Sequence, residues 1–289
     1  MKPTKYYDRK SQSWKDLRIA RQERVRWLYS RPLGKLVNRL SSSPFFSKVY
    51  GWVADQRWST RFIASFVEEF EIEMSEFTEG PYSSFNSFFS RPFRKGRRTF
   101  SENSGLIDCP AEAYLRRIVI DNTALAIVKG HALSLKDLLE SSVNWDFGES
   151  LILRLSPQEY HRFHFPADGR IEGITKHKGP LYSVNPLTLQ YDPLVLFRNM
   201  RSTLHLDLGP LGKALLVVIG ATYVGSLVIH GKAGDSFRRG EEAGFFKLGG
   251  STLIFVGERD KWRLASDLLT PDLHDQEAFV RLGESISHI

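Results

Sequence analysis

Cysteine is nearly absent from this chain: Cys109 is the only one in 289 residues. A single thiol excludes an internal disulfide framework and a multi-cysteine zinc site, and it gives no sign of an oxidising compartment. Long apolar runs are missing as well. No stretch approaches the roughly 18 consecutive apolar residues that a spanning helix needs. The segment from Met1 to Lys10 lacks the apolar core of a signal peptide.

What is present is an ordinary globular composition, 42% hydrophobic and 25% charged, in a chain long enough to bury roughly 75% of its unfolded surface. Positive charge is concentrated at one end. The first fifty residues hold 13 Lys and Arg against 3 Asp and Glu, a local +10 in a chain whose total is +7. Such a front end suits an anionic lipid surface or nucleic acid. Between Trp14 and Leu28 the residues Trp14, Leu17, Ala20, Val25 and Leu28 recur at roughly helical spacing, with Arg18, Arg21, Arg24 and Arg26 between them. That pattern predicts an interfacial helix and favours lipid over nucleic acid, although arginines on a helix are often only its solvated face. A second amphipathic stretch, residues 45–72, carries Phe62, Ile63, Phe66, Val67 and Phe70, which suit either core packing or a lipid-facing role.

From Gly80 onward the pattern changes to short apolar runs punctuated by Gly, Pro, Asn and Asp, which predicts mainly antiparallel β structure. Expected strands are Leu115 to Ile120, Ala124 to Val128, Leu151 to Leu155, Leu215 to Ile219, Ser226 to Ile229 and Thr252 to Val256, with one helix near Ser134 to Glu140. The polar tail after Leu264 has no clear pattern. The expected fold class is α+β: a predominantly antiparallel β catalytic domain over 80–289, preceded by amphipathic N-terminal helices in a basic, membrane-associating region over 1–79.

Three segments carry candidate chemistry: Tyr160 to Pro166 (YHRFHFP), Gly220 to Ser226 (GATYVGS) and Phe246 to Thr252 (FKLGGST). The first holds His161 and His164. With no cysteine nearby and no HExxH pattern, general acid/base work suits this pair better than metal ligation, because histidine titrates nearest neutrality. Either histidine alone reads as a residue beside a turn. Gly249-Gly250-Ser251 alone also reads as a turn into a strand, but glycine before serine leaves the Gly250 carbonyl open to attack.

Taken together, these segments resemble the phosphatidylserine decarboxylase family, whose members carry YHRxH, GAxxVGS and (G/L)GST elements in this order. Supporting matches are Phe85 to Pro92 (FNSFFSRP), Val128-Lys129-Gly130, Tyr182 to Pro186 (YSVNP) and Gly240-Glu241-Glu242. The resemblance covers roughly residues 80 to 260.

The resemblance implies self-cleavage between Gly250 and Ser251. His164 would take the Ser251 hydroxyl proton, an ester would replace the peptide bond, and elimination would leave a covalent pyruvoyl group (pyruvate) at position 251. The products would be a chain of residues 1–250 and one of 251–289, held together as a heterodimer, with a homodimer of that unit left open. The pyruvoyl group would form a Schiff base with phosphatidylserine and withdraw electrons as CO2 leaves, and His161 would reprotonate the α-carbon. No metal and no nucleic acid are implied. The partners expected are phosphatidylserine and a phospholipid membrane surface, with a peripheral location on the cytoplasmic face of the cell membrane.

One departure stands out. Where the family places an aspartate that orients the catalytic histidine, this chain has Cys109-Pro110-Ala111-Glu112-Ala113, so Glu112 stands in its place with one more methylene of reach. Arg198-Asn199-Met200-Arg201 also differs, keeping Arg201 in register but changing the residue before it. A relative that binds lipid without cleaving itself is the alternative these departures suggest. A lipoyl-type carrier reading fails because this chain has no lysine at an obvious hairpin tip between two short strands. A soluble amino acid substrate would not need the basic, aromatic front end.

Overall fold

The computed structural model describes residues 5–17, 22–120, 125–128, 131–134, 143–222, 227–249, 251–269 and 276–288. A hairpin of β1 (Lys5–Asp8) and β2 (Ser13–Asp16) comes first. It is followed by α1 (Gln22–Ser30), α2 (Pro32–Ser41), α3 (Pro44–Asp55), α4 (Ile63–Glu69) and α5 (Phe85–Phe89). The strands then run β3 (Ala113–Ile120), β4 (Leu125–Val128), β5 (His131–Ser134), β6 (Phe147–Leu155), β7 (Arg162–His164) and β8 (Gly169–His177). After α6 (Pro186–Tyr191) and α7 (Val195–Arg198) come β9 (Arg201–Asp207), β10 (Lys213–Gly220), β11 (Leu227–Ile229), β12 (Ser236–Phe237), β13 (Glu242–Phe246) and β14 (Ser251–Glu258). The chain ends with β15 (Arg263–Leu264), β16 (Glu277–Val280) and β17 (Ser287–His288).

The fold is α+β, built on a mostly antiparallel sheet. The main path runs β12-β8-β9-β10-β14-β6-β3-β16-β1-β2, with β4 and β5 branching from β3. Among the described residues only the β1–β16 pairing is parallel. The central strands read as continuous apolar runs because both faces are covered. Leu253 and Phe255 of β14 enter one core with Leu151, Leu153, Leu216 and Val218. Ile254 and Val256 enter a second core with Leu215, Val217 and the α7 residues Val195 and Leu196. The two-residue strand period sorts the side chains between these cores. A second sheet, β11-β13-β7, carries the histidine segment.

The front of the chain differs from its helical reading. Trp14 lies in β2, and helix begins only at Gln22; the hairpin instead extends the main sheet by pairing with β16. Arg18 and Arg21 lie outside the described residues, as do most of the helix expected near Ser134 to Glu140, Lys129-Gly130, Tyr223 to Ser226, and Gly250. The unpatterned tail supplies β16, an interior strand between β3 and β1.

Helices α2 and α3 start at prolines, where a missing N–H costs nothing, and Ser43 caps α3 by accepting from the Phe46 N–H. Their apolar residues face outward: Leu33, Leu36 and Leu40 on α2, and Phe45, Val49 and Trp52 on α3, are all exposed. Helix α4 does the opposite. Ile63, Phe66 and Val67 pack against a third core of Phe85, Phe88, Phe89 and Tyr160, each buried phenylalanine contributing roughly 2–3 kcal/mol. The stretch 45–72 therefore packs α4 into the core and leaves the apolar residues of α3 exposed.

Candidate active site

The histidine segment and the serine segment meet twice. Ser251 opens β14 opposite Leu155, the last residue of β6, and opposite Gly220 of β10. Upstream, β13 pairs with β7, setting Glu242 against His164 and Phe245 against Arg162, and the Phe246 N–H donates to the His161 carbonyl at 2.9 Å. Residues 156–161 and 247–249 thus lie at one gap between the two sheets. Gly249 takes φ +141° there, a left-handed-side value that side chains disfavour.

The two histidines hold the same tautomer by different means. Nδ1 of His161 lies 2.9 Å from the Glu159 carbonyl, and Nδ1 of His164 lies 2.8 Å from the Gly240 carbonyl. A carbonyl only accepts, so each Nδ1 carries the hydrogen and each Nε2 offers a lone pair. On His164 that lone pair receives the Tyr160 hydroxyl at 3.0 Å. On His161, Nε2 is buried with no hydrogen-bond partner. Gly240 suits its role because φ is +76° and any Cβ would meet the Phe100 ring at 2.7 Å.

Ser251 is fully buried, and its Oγ also has no hydrogen-bond partner among the described residues. Leaving a buried hydroxyl unpaired costs about 1–3 kcal/mol, and such atoms in native proteins call for a reason. No hydrogen bond joins Ser251 to either ring. Three residues absent from the expected site set brace the gap between them. Asn86 accepts from the Leu248 N–H at 2.8 Å and donates to Gly51 and Asp55 of α3. Phe89 packs its ring 4.0 Å from the His161 ring centre. Arg91 donates to the Gln158 carbonyl at 2.8 Å. All three lie in the Phe85 to Pro92 motif, which was the available signal.

Glu112 is placed elsewhere. Its carboxylate receives two bonds from Arg98, at 2.9 and 2.6 Å, and one from the Leu282 N–H at 3.0 Å. It bonds to neither histidine among the described residues; its partners are Arg98 and the Leu282 N–H. The orienting contacts on His164 come instead from Gly240 and Tyr160. Leu282 belongs to the segment after Ser251, so Glu112 ties that segment to the rest of the chain. The carboxyl beside the histidines in sequence is Glu159, approached by the Tyr114 hydroxyl at 3.4 Å. Among the described residues, no three His, Cys, Asp or Glu side chains converge as a metal site.

Burial sets the protonation states. It lowers the His161 pKa to about 3 and lowers that of His164 as well, while it pushes Glu159 up to about 8, with the Glu112 charge adding to the rise. Opposite pH effects follow. The unfolded chain protonates His161 near 6.5 and the folded one near 3, so stability is lost as pH falls through that window. Glu159 ionises near 4.5 unfolded and near 8 folded, so stability is lost as pH rises through that window. Glu159→Gln is expected to remove the alkaline limb. Between about pH 6.5 and 8 the parent melting temperature should fall, while that of the variant stays level.

A cavity of about 620 Å³ opens beside this gap, lined by the buried Leu155 and the half-buried Leu248 and Gly249 and, on its exposed side, by Trp58, Arg61 and Phe62. Comparison with known proteins shows the family. The family model for phosphatidylserine decarboxylase matches residues 85–288. Phosphatidylserine decarboxylase proenzymes of Clostridium botulinum and Desulfitobacterium hafniense are 33% and 36% identical to this chain, over 98% of it and 98% and 97% of themselves respectively. That of Clostridium tetani is 34% identical over 98% of this chain and 97% of its own. With every quoted motif inside a match that runs nearly end to end, the chain belongs to the phosphatidylserine decarboxylase family.

Proposed function

We propose that this protein decarboxylates phosphatidylserine to phosphatidylethanolamine after cutting itself between Gly250 and Ser251. The observation that carries the reading is the pair of unpartnered buried atoms, Ser251 Oγ and His161 Nε2, in a chain whose full-length relatives are named as proenzymes. In the first stage Ser251 Oγ attacks the Gly250 carbonyl as its proton passes to the His164 imidazole, and the amide nitrogen leaves to give an ester. Elimination then releases residues 1–250 as a carboxylate and leaves dehydroalanine at 251. Tautomerisation and hydrolysis, with loss of ammonia, convert it to pyruvoyl.

The donor set fits that group: a buried position with spare hydrogen-bonding capacity, close in the chain to Leu248 and Gly249, which line the open cavity. Its carbonyl supplies an electron sink for loss of the substrate carboxylate. His161, fixed by Glu159 with Nε2 free, moves the proton at the α-carbon. Both strands of the 251–289 product with long pairings, β14 and β16, are interior to the sheet, which supports a heterodimer that persists after cleavage.

Labour divides near residue 80, with the hairpin of β1 and β2 joining the catalytic sheet. Helices α2 and α3 meet the lipid surface: Phe45 is 69% and Trp52 64% exposed, among Lys35, Arg39 and Lys48. No helix among the described residues is long and apolar enough to cross a membrane, and a peripheral position on the cytoplasmic face suits this surface. The double change Phe45→Glu, Trp52→Glu is expected to weaken sedimentation with anionic vesicles at least tenfold, without affecting self-cleavage.

Two measurements test the function. Intact mass should give two chains, one of 39 residues, and a single uncut chain would sink the reading. CO2 should be released from phosphatidylserine vesicles but not from free serine or aspartate.

A further inference from the structure

We infer that Arg61 is the phosphate-binding residue of the substrate site, gripping the phosphodiester of a phospholipid on the exposed side of the cavity. The inference rests on phospholipid being the substrate, and it assigns a recognition residue within that reading.

Two cationic side chains line the cavity among the described residues, Arg61 and Arg154. Arg154 is committed: it makes a two-point pair with Glu277, at 2.9 and 2.6 Å, and donates to Ser156 at 2.7 Å. Arg61 has no carboxylate within ion-pair distance among the described residues. Its guanidinium lies 4.9 Å from the Trp58 ring centre and 4.8 Å from that of Phe62. Stacking on two rings restrains the fork while leaving its N–H edges unused, which is how arginine is best prepared for an anionic oxygen pair. Glu69 also lines the cavity and has a partner of its own.

The order of chemical groups along the cavity matches a phospholipid. On its more buried side lie Leu155, paired with Ser251, and Gly249, where the serine moiety must react. On its other side Trp58 and Phe62 are exposed and adjoin the apolar helices that would take the acyl chains. The phosphodiester links these two parts of the molecule, and Arg61 is the uncompensated cation lining that path. A lipid without a phosphate would leave its charge unanswered.

Binding is measured by calorimetry on the full-length Ser251→Ala chain, which turns nothing over, with dihexanoyl phosphatidylserine below its micelle concentration. Arg61→Gln in that background should weaken binding about tenfold or more, and Arg61→Lys should recover part of it. Dihexanoylglycerol, which lacks phosphate, should bind both chains equally, and inorganic phosphate at matched concentration should not displace the phospholipid. Equal phospholipid affinity with and without Arg61 overturns the assignment, as does equal loss of dihexanoylglycerol, which would make Arg61 a wall of the cavity only. Displacement by inorganic phosphate overturns it in favour of a free-phosphate site. If the Ser251→Ala parent itself binds no phosphatidylserine, the substrate reading falls and takes Arg61 with it.

Discussion

Ser251→Ala is expected to leave a single 33.1 kDa chain where the parent gives two, and to abolish CO2 release from phosphatidylserine. Loss should be complete, because alanine offers no nucleophile for the Gly250 carbonyl and no precursor of the pyruvoyl group. The same change should not harm the fold. Ser251 Oγ is buried without a hydrogen bond, so removing it relieves an unpaired hydroxyl, and stability should hold or rise by about 1 kcal/mol. A buried serine kept at a cost to stability is what a functional position looks like. Denaturant unfolding of the variant, set beside electrophoresis, separates the two effects. A variant that is both uncut and markedly destabilised would show that Ser251 serves packing rather than chemistry.

The strands of the core were legible because their period is local. The runs around Leu153, Val217 and Ile254 alternate between two cores, and β6, β10 and β14 include the ranges that the alternation marks. The hairpin of β1 and β2 was not legible. Trp14 and Leu17 share helical spacing with later residues, and only pairing with β16, some 270 residues away, makes a strand of that segment. The site was legible as motifs and not as contacts. Nothing local says that Arg98 and the Leu282 N–H take up the Glu112 carboxylate, since Leu282 lies 170 residues downstream. Nor could spacing show that Asn86, in a motif far upstream, holds Leu248 beside the scission site. Helices α2 and α3 invert the usual rule that the apolar stripe faces inward; the stretch 45–72 marks α3 as amphipathic without saying which way its apolar face points, and α2 lies outside both marked stretches.

Substituting the two histidines should divide the reaction. His164→Gln is expected to slow self-cleavage by about 10²–10⁴-fold, the usual worth of a positioned base. His161→Gln should still be cut, yet lose decarboxylation by a similar factor. The reason is where positive charge can be tolerated. A base that takes the serine proton becomes an imidazolium, and His164, whose pKa burial also lowers, offsets that with the Gly240 carbonyl on Nδ1 and the charge of Glu242, which outweighs that of Arg162. His161 is fully buried, held neutral down to about pH 3, and faces the unfavourable charge of Arg91. Imidazolium formation there in a resting proenzyme is the costlier step, so His161 suits a brief imidazolium only, formed as Nε2 takes a proton given up by the substrate ammonium and discharged at once to the carbanionic α-carbon. His164 must first release the Tyr160 hydroxyl from Nε2. Tyr160→Phe should therefore cut itself at least as fast as the parent, and slower cleavage in that variant would mean that the hydroxyl relays the proton instead of withholding the base.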